Sequence, residues 1–391
     1  MIWRGMRWLG TAVLFAVIGL SLSIAVVPYF LDAVYYAGPA TAHFDGARFA
    51  NPDRDDEINP PRPARRRAGG LWRVLSNAER RPEWPDWVAV VEGPVAPRVD
   101  GGAMVVTWVG HATLLVQAAG LNILTDPIWS NRAGPFGIGP ARVAAPGITF
   151  DKLPRIDLVL VSHNHYDHMD LATLKRLWDR DHPRIVTALG NDSVIGQAGV
   201  PATAADWGGR VAVKSGVEVI VTRNHHWSTR WISDKNRSLW SSFVVRLPGG
   251  NLFFAGDTGA GDLKWADEAA AYGPVRLALI PIGAFRFRPG QMGDWSHIGP
   301  VDAVEIARRL GASRAIGMHW GTFRLSSEAY DTPPRLLSAA MACTHQGGRF
   351  DTVRIGAPER IAAYAPPAAV PPVPRAALLR CLDTPAVQAL R

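Results

Sequence analysis

The sequence predicts an α/β domain behind one N-terminal apolar helix, and three observations carry that prediction. Short apolar runs rich in branched side chains alternate with turns and amphipathic stretches from Met104 to Met318, the pattern of strands and their covering helices. Histidines and aspartates gather where those runs stop. Ahead of them lies Trp8 to Leu31, which carries no charge.

At about 1.5 Å per residue, a helix over Trp8 to Leu31 exceeds the ~30 Å hydrocarbon core and spans a bilayer with some tilt. A cleaved signal peptide is the rival reading, because Ala37-Gly38-Pro39-Ala40-Thr41-Ala42 offers small residues. The apolar core outruns the ~7–15 residues such a peptide uses, which favours a retained anchor over residues 1–36. Arg4 and Arg7 flank it on the N-terminal side, so the main domain is expected on the outer, periplasmic side. Residues 37–98 are rich in Pro, Arg and Asp and read as a linker. Its basic cluster, Arg62, Arg65, Arg66 and Arg67, suits anionic headgroups or plain solvent.

Residues 99–365 form the expected main domain. Met104 to Trp108, Thr113 to Val116 and Leu121 to Leu124 give an antiparallel meander through turns at Gly110 and Gly120. His111 stands in the first turn, suited equally to a structural hydrogen bond or to a metal site. The third strand runs into Thr125-Asp126-Pro127, where a carboxylate either fixes the tautomer of a ligating imidazole or starts a turn. The loop Pro127 to Phe150 carries Ile128, Trp129, Phe136, Ile138 and Ile148, apolar side chains fit to line a pocket, touch lipid or pack on the domain.

Ile156 to Val161 is the next strand, and it stops at Ser162-His163-Asn164-His165-Tyr166-Asp167-His168. Alternate residues of an extended backbone project to one side, so His163 and His165 face one cation. Asp167 and His168 follow in a turn that can offer a carboxylate and a third imidazole to a second. Such donors suit zinc, or less selectively iron or manganese. A lone histidine is more often packed or hydrogen-bonded; this density of ligand types at a strand end is not explained that way.

Leu171 to Trp178 has helical spacing, and Ile185 to Ala188 reads as a strand. Val217 to Thr222, another strand, enters Arg223-Asn224-His225-His226-Trp227, where one of two histidines completes a three-imidazole site and spacing does not choose which. Leu239 to Leu247 and Leu252 to Phe254 form a hairpin through Gly249-Gly250 and lead to Asp257, whose two oxygens can bridge two cations. A helix from about Asp262 to Tyr272, a strand from Val275 to Pro281 and an amphipathic helix opened by Pro300 follow. Between the last two, a loop carries Phe285, Phe287, Trp295 and His297, an imidazole placed to move a proton or to cap the helix. Ala315 to Met318 leads to His319, one more strand-end imidazole. Residues 366–391, rich in Pro and Ala, read as a tail.

Hydrophobic residues make up 48% and charged residues 19% of the 391, which excludes a mainly disordered chain. Two cysteines, Cys343 and Cys381, exclude a disulfide framework and a cysteine zinc site, so any metal rests on His and carboxylates. The net charge of +8 is a weak argument for anionic partners. Nuclease action is disfavoured, since the clearest basic cluster lies in the linker.

Three stretches, Ser162 to His168, Gly256-Asp257 and Met318-His319-Trp320-Gly321-Thr322, together resemble the metallo-β-lactamase fold superfamily. More narrowly, Thr107-Trp108-Val109-Gly110-His111-Ala112-Thr113, Thr125-Asp126-Pro127-Ile128, His226-Trp227 and His297 resemble the N-acyl-phosphatidylethanolamine phospholipase D family. The resemblance spans about Val105 to Phe323. It implies an αββα sandwich with metals at one edge, and two Zn2+, other divalent metals being possible. His163, His165 and His226 would bind one; Asp167, His168 and His319 would bind the other, with Asp257 bridging. Trp227 is what selects His226 over His225. Asp126 would orient a ligand, while Tyr166 and His297 would lie close to the substrate phosphate.

Two such cations lower the pKa of a shared water and supply a hydroxide nucleophile. The expected function is therefore a membrane-anchored binuclear-zinc hydrolase of a phosphodiester, that of N-acyl-phosphatidylethanolamine-type phospholipids. Its expected partners are that phospholipid or another phosphodiester, and the membrane, without nucleic acid. One alternative keeps the metals and changes the substrate to a lactone, sugar phosphate or soluble phosphodiester. The other is a non-enzymatic metal-binding scaffold, against which the seven filled ligand positions count.

Overall fold

The computed structural model describes residues 2–31, 34–53, 56–60, 82–231 and 233–390. The basic cluster from Arg62 to Arg67 lies outside the described residues. Helix α1 (Ile2–Leu31) is continuous, and its stretch Met6–Ile24 is long and apolar enough to cross a membrane, with none of it buried. A signal sequence has the same properties.

The segment after α1, expected as a linker, is part of the domain where it is described. Phe44 and Phe49 pack ring to ring at 4.6 Å, with Tyr36 edge-on to Phe44 at 5.0 Å. Both phenylalanines lie in the core.

The meander forms as expected from β1 (Met104–Gly110), β2 (Thr113–Ala118) and β3 (Leu121–Thr125). β4 (Leu158–Val161) joins β3 in parallel, pairing Thr125 with Leu160. Helix α2 (Leu171–Asp181) then crosses to β5 (Arg184–Ala188), and α3 (Asn191–Gly196) to β6 (Thr203–Ala205), both strands again parallel. Parallel neighbours require such crossovers, and strands covered on both faces read as unbroken apolar runs.

The second sheet starts with antiparallel strands β7 (Arg210–Lys214), β8 (Val217–Thr222), β9 (Ser242–Arg246) and β10 (Asn251–Phe254). Helix α4 (Lys264–Ala270) leads to β11 (Val275–Pro281), α5 (Pro300–Arg309) to β12 (Arg314–Met318), and α6 (Thr332–Thr344) to β13 (Phe350–Asp351), all parallel additions. β14 (Pro358–Ile361) returns to the first sheet and pairs Ile361 with Met104 of β1. Among the described residues each sheet has seven strands.

Alternation along β1 shows the layering. Met104, Val106 and Trp108 enter the core between the sheets with Leu252 and Leu277, whereas Val109 joins Leu124, Val159, Leu174 and Leu177 beneath α2. The architecture is the expected αββα sandwich.

The segment expected as a tail is docked instead. It carries α7 (Arg375–Cys381) and α8 (Pro385–Gln388), buries Leu378, Leu382, Val387 and Leu390, and pairs Arg375 with Asp302 of α5 at 2.8 Å. Cys381 is disulfide-bonded to Cys343 of α6. Leu378 and Leu382, and Val387 and Leu390, repeat at helical spacing there, too short a signal against so much Pro and Ala. The loop Pro127 to Phe150 divides: Ile128 and Ile148 are buried, while Phe136 and Ile138 stand exposed.

Candidate metal centre

Strands that run in parallel end side by side, and the donors sit on those ends. Asp126 follows β3, His163 to His168 follow β4, His226 follows β8, Asp257 follows β10 and His319 follows β12. The turns are tight enough that His111, Asp126 and His319 adopt φ of +56°, +31° and +64°. Such left-handed conformations cost non-glycine residues about 1–3 kcal/mol each and persist where surroundings impose them. Here His319 N–H donates to the His111 carbonyl at 3.0 Å, and His111 N–H donates to Thr322 Oγ1 at 2.8 Å, locking the two turns together.

Hydrogen bonds behind the imidazoles fix which nitrogen faces inward. His168 Nδ1 donates to Asp126 Oδ2 at 2.6 Å, and Ser162 gives its hydroxyl proton to the same oxygen at 2.6 Å. Having spent that proton, Ser162 Oγ accepts from His163 Nδ1 at 2.9 Å. His226 Nδ1 donates to the Ser296 carbonyl at 2.8 Å. Each neutral ring is left with a lone pair on Nε2.

Those lone pairs converge. His163 Nε2 lies 2.7 Å from His165 Nδ1, which lies 3.4 Å from His226 Nε2. His168 Nε2 faces Asp257 Oδ2 at 3.1 Å, His319 Nε2 at 3.1 Å and Asp167 Oδ2 at 3.3 Å. His111 Nε2 adds a contact to Asp167 Oδ2 at 3.0 Å. With every ring neutral, acceptors crowded this closely repel, and a cation reconciles them. Donor atoms of His163, His165 and His226 form one compact group; His111, Asp167, His168 and His319 form a second. Asp257 stands between the two, in contact with His168 and His319 and grouped with His226 and His297. Imidazole and carboxylate donors in such groups fit a divalent metal.

The electrostatics agree. Burial pushes His163 and His226 well below the usual imidazole range and His165 down to about 4, so all three stay neutral. For His168 and His319 burial acts the same way, but the Asp257 and Asp167 carboxylates outweigh it; His168 rises well above its ordinary value and His319 to about 9. Burial also pushes Asp126 up, against the bonds from His168 and Ser162.

The remaining expected residues border a cavity of about 600 Å³ that opens over Asp167 and Asp257. Tyr166 and His297 both line it. His297 Nδ1 lies 3.6 Å from Asp257 Oδ2, and the Arg230 guanidinium lies 4.0 Å over the Tyr166 ring. His225 turns to Asp53 at 2.8 Å, leaving His226 as the histidine that joins His163 and His165. Sequence reasoning passed over Arg230 and Lys235, both on the cavity wall, because no motif surrounds them. It also passed over Ser162 as a relay, although its place between β4 and His163 was visible.

The β-lactamase superfamily domain model matches residues 121–320, a stretch that contains every one of these donors except His111. The chain belongs to the β-lactamase superfamily. Within it, the chain is 35% identical over 241 residues to N-acyl-phosphatidylethanolamine-hydrolyzing phospholipase D 1 of Caenorhabditis elegans, covering 59% of this chain and 67% of that one. A UPF0173 metal-dependent hydrolase of Pyrobaculum islandicum is 26% identical, covering 64% of this chain and all of its own length. Among solved structures, a possible metal-dependent hydrolase of Veillonella parvula superposes with a TM-score of 0.53 at 13% identity, over 66% of this chain and 99% of that one. That likeness concerns the fold alone. With its family and donor set, the chain is a metal-dependent hydrolase.

Proposed function

We propose that the protein is a membrane-anchored phosphodiesterase that works with two divalent cations, zinc by its donor set, on N-acyl-phosphatidylethanolamine-type phospholipids. The observation that carries this reading is Asp257, which stands at both donor groups: Oδ1 lies 3.0 Å from His319 Nε2 and Oδ2 lies 3.1 Å from His168 Nε2 in the second, and one of its oxygens lies within 4.8 Å of a ring nitrogen of His226 in the first. Cations bound there would lower the pKa of water and offset charge that builds on a phosphoryl oxygen.

The chain's own residues supply the rest. Asp126 holds His168 directly and His163 through Ser162 in the tautomers a ligand needs. Tyr166 offers a phenol donor on the cavity wall, Arg230 and Lys235 add positive charge beside it, and His297 offers an imidazole next to Asp257. These groups suit one phosphodiester anion. Trp227, Trp231, Phe287 and Leu325 give the cavity apolar walls for acyl chains. The phospholipase D relative supports the lipid class, and the unburied α1 supports the anchor. A Cys343–Cys381 disulfide supports an oxidising side of the membrane, such as the periplasm.

The test is release of phosphatidic acid from N-acyl-phosphatidylethanolamine by the purified full chain in detergent, with and without a chelator. Chelator-sensitive release is expected. Two bound metals without release would move the substrate to another ester or phosphodiester.

A further inference from the structure

Tyr35, four residues beyond α1, is built into the cavity rim. Its hydroxyl donates to Asp234 Oδ2 at 3.0 Å, and its carbonyl accepts from Ser193 Oγ of α3 at 2.7 Å. Asp234 is buried and gathers the rim loop: Thr229 Oγ1 donates to it at 2.6 Å, and the N–H groups of Arg230 and Trp231 donate at 3.1 and 2.8 Å. Thr229, Arg230, Trp231 and Lys235 all line the cavity. Four residues reach at most about 14 Å, so a span that ends at Leu31 holds this rim close to the bilayer surface.

The facing rim is apolar at its tip. Ala133 and Pro135 line the cavity, and the same loop continues to Phe136 and Ile138, which are 88% and 69% exposed. Among the described residues beyond α1 these are the most exposed large apolar side chains. Arg132 stands exposed beside them, and Lys235 stands exposed on the rim opposite. A single exposed apolar residue is ordinary. An aromatic and an aliphatic tip flanked by cations, facing a rim tied to an apolar helix, matches the chemistry of a headgroup interface.

We propose that the bilayer itself is the docking partner of the cavity mouth, gripped on one rim through the Tyr35–Asp234 bond to α1 and on the other by Phe136 and Ile138. This rests on the anchored-hydrolase reading and adds an orientation to it. A lipid then slides along the rim at headgroup depth and presents its phosphodiester to the metal edge while its acyl chains stay in the membrane.

The test uses the full chain in nanodiscs of phosphatidylcholine and phosphatidylglycerol, with a nitroxide on Ile138→Cys and, as control, on Lys264→Cys, an exposed position of α4. The native cysteines are paired with each other, so only the introduced thiol takes the label. Relaxation of the Ile138→Cys label is expected to favour dissolved oxygen over a water-soluble nickel chelate, with the reverse at Lys264→Cys. Water exposure at both sites overturns the docking.

Turnover gives a second arm. Phe136→Ser with Ile138→Ser is expected to slow hydrolysis of vesicle lipid by about tenfold, and Tyr35→Phe by about fivefold, the worth of one hydrogen bond. Both leave dispersed short-chain lipid unaffected; equal losses on the two substrates overturn the proposal. A deep label without lipid turnover supports the docking and overturns the substrate reading instead. A chain that stays off vesicles overturns the anchor and the docking together.

Discussion

The two donor groups that meet at Asp257 share the imidazole as a donor, yet their rings do not behave alike: in the second group burial pushes His111 down to about 3, while His168 and His319 go the other way. His163, His165 and His226 have no carboxylate among them, and burial keeps all three rings neutral. His168 and His319 are equally enclosed, yet Asp257 and Asp167 hold His168 well above its ordinary value and His319 at about 9. Contact with both Asp167 and Asp257, which His168 and His319 have and His111 lacks, is what overcomes burial at this edge. The first group is a set of neutral ligands; the second is an anionic seat that attracts positive charge.

The largest effect that tests this contrast is at the shared residue. Asp257→Ala is expected to cost both metal equivalents and about 10²–10³-fold or more in turnover, read by elemental analysis alongside rate. If one equivalent stays at full strength, Asp257 belongs to one group only. Next comes His319→Ala, which should remove one equivalent and most turnover while the three-imidazole group stays filled and the circular dichroism is unchanged. Unaltered metal content would strike His319 from the ligands.

Asp126→Asn acts behind the ligands, through His168 and Ser162. A loss of about 10–100-fold in metal affinity or activity is expected, detected by titration with a metal indicator; wild-type affinity would show that the tautomers are held by something else. The smallest effect on the centre should come from Cys381→Ser. Opening the disulfide is expected to lower stability by about 2–4 kcal/mol in denaturant unfolding and to leave both metal equivalents in place. Loss of metal would mean that the docked C-terminal segment shapes the centre as well.

Much of this edge was readable because donors crowd together along the chain. His163, His165, Asp167 and His168 lie in one turn, and Asp257 and His319 each follow an apolar run that could only be a strand. The strand sequence also carried the meander and the β9–β10 hairpin. What could not be read depends on pairings between distant segments. His111 was undecided until β12 brought His319 against its turn, at 4.0 Å between ring centres. The segment from Asn51 to Asn59 looked like linker, yet Asp53 bonds His225, and Asn59 reaches Asp302 at 3.1 Å. No local pattern encodes such contacts, nor the match of Cys381 to Cys343.

Strand β14 has a consequence for the order in which the molecule is made. β1 starts at Met104, but its outer neighbour ends at Ile361, so the first sheet keeps β1 as an unpaired edge until Ile361 has left the ribosome. Contacts of such long sequence separation form slowly, and open strand edges invite wrong pairings meanwhile. The strand that covers β1 is therefore made long after β1 itself, and a chain truncated before Pro358 would present β1 as a bare template for aggregation.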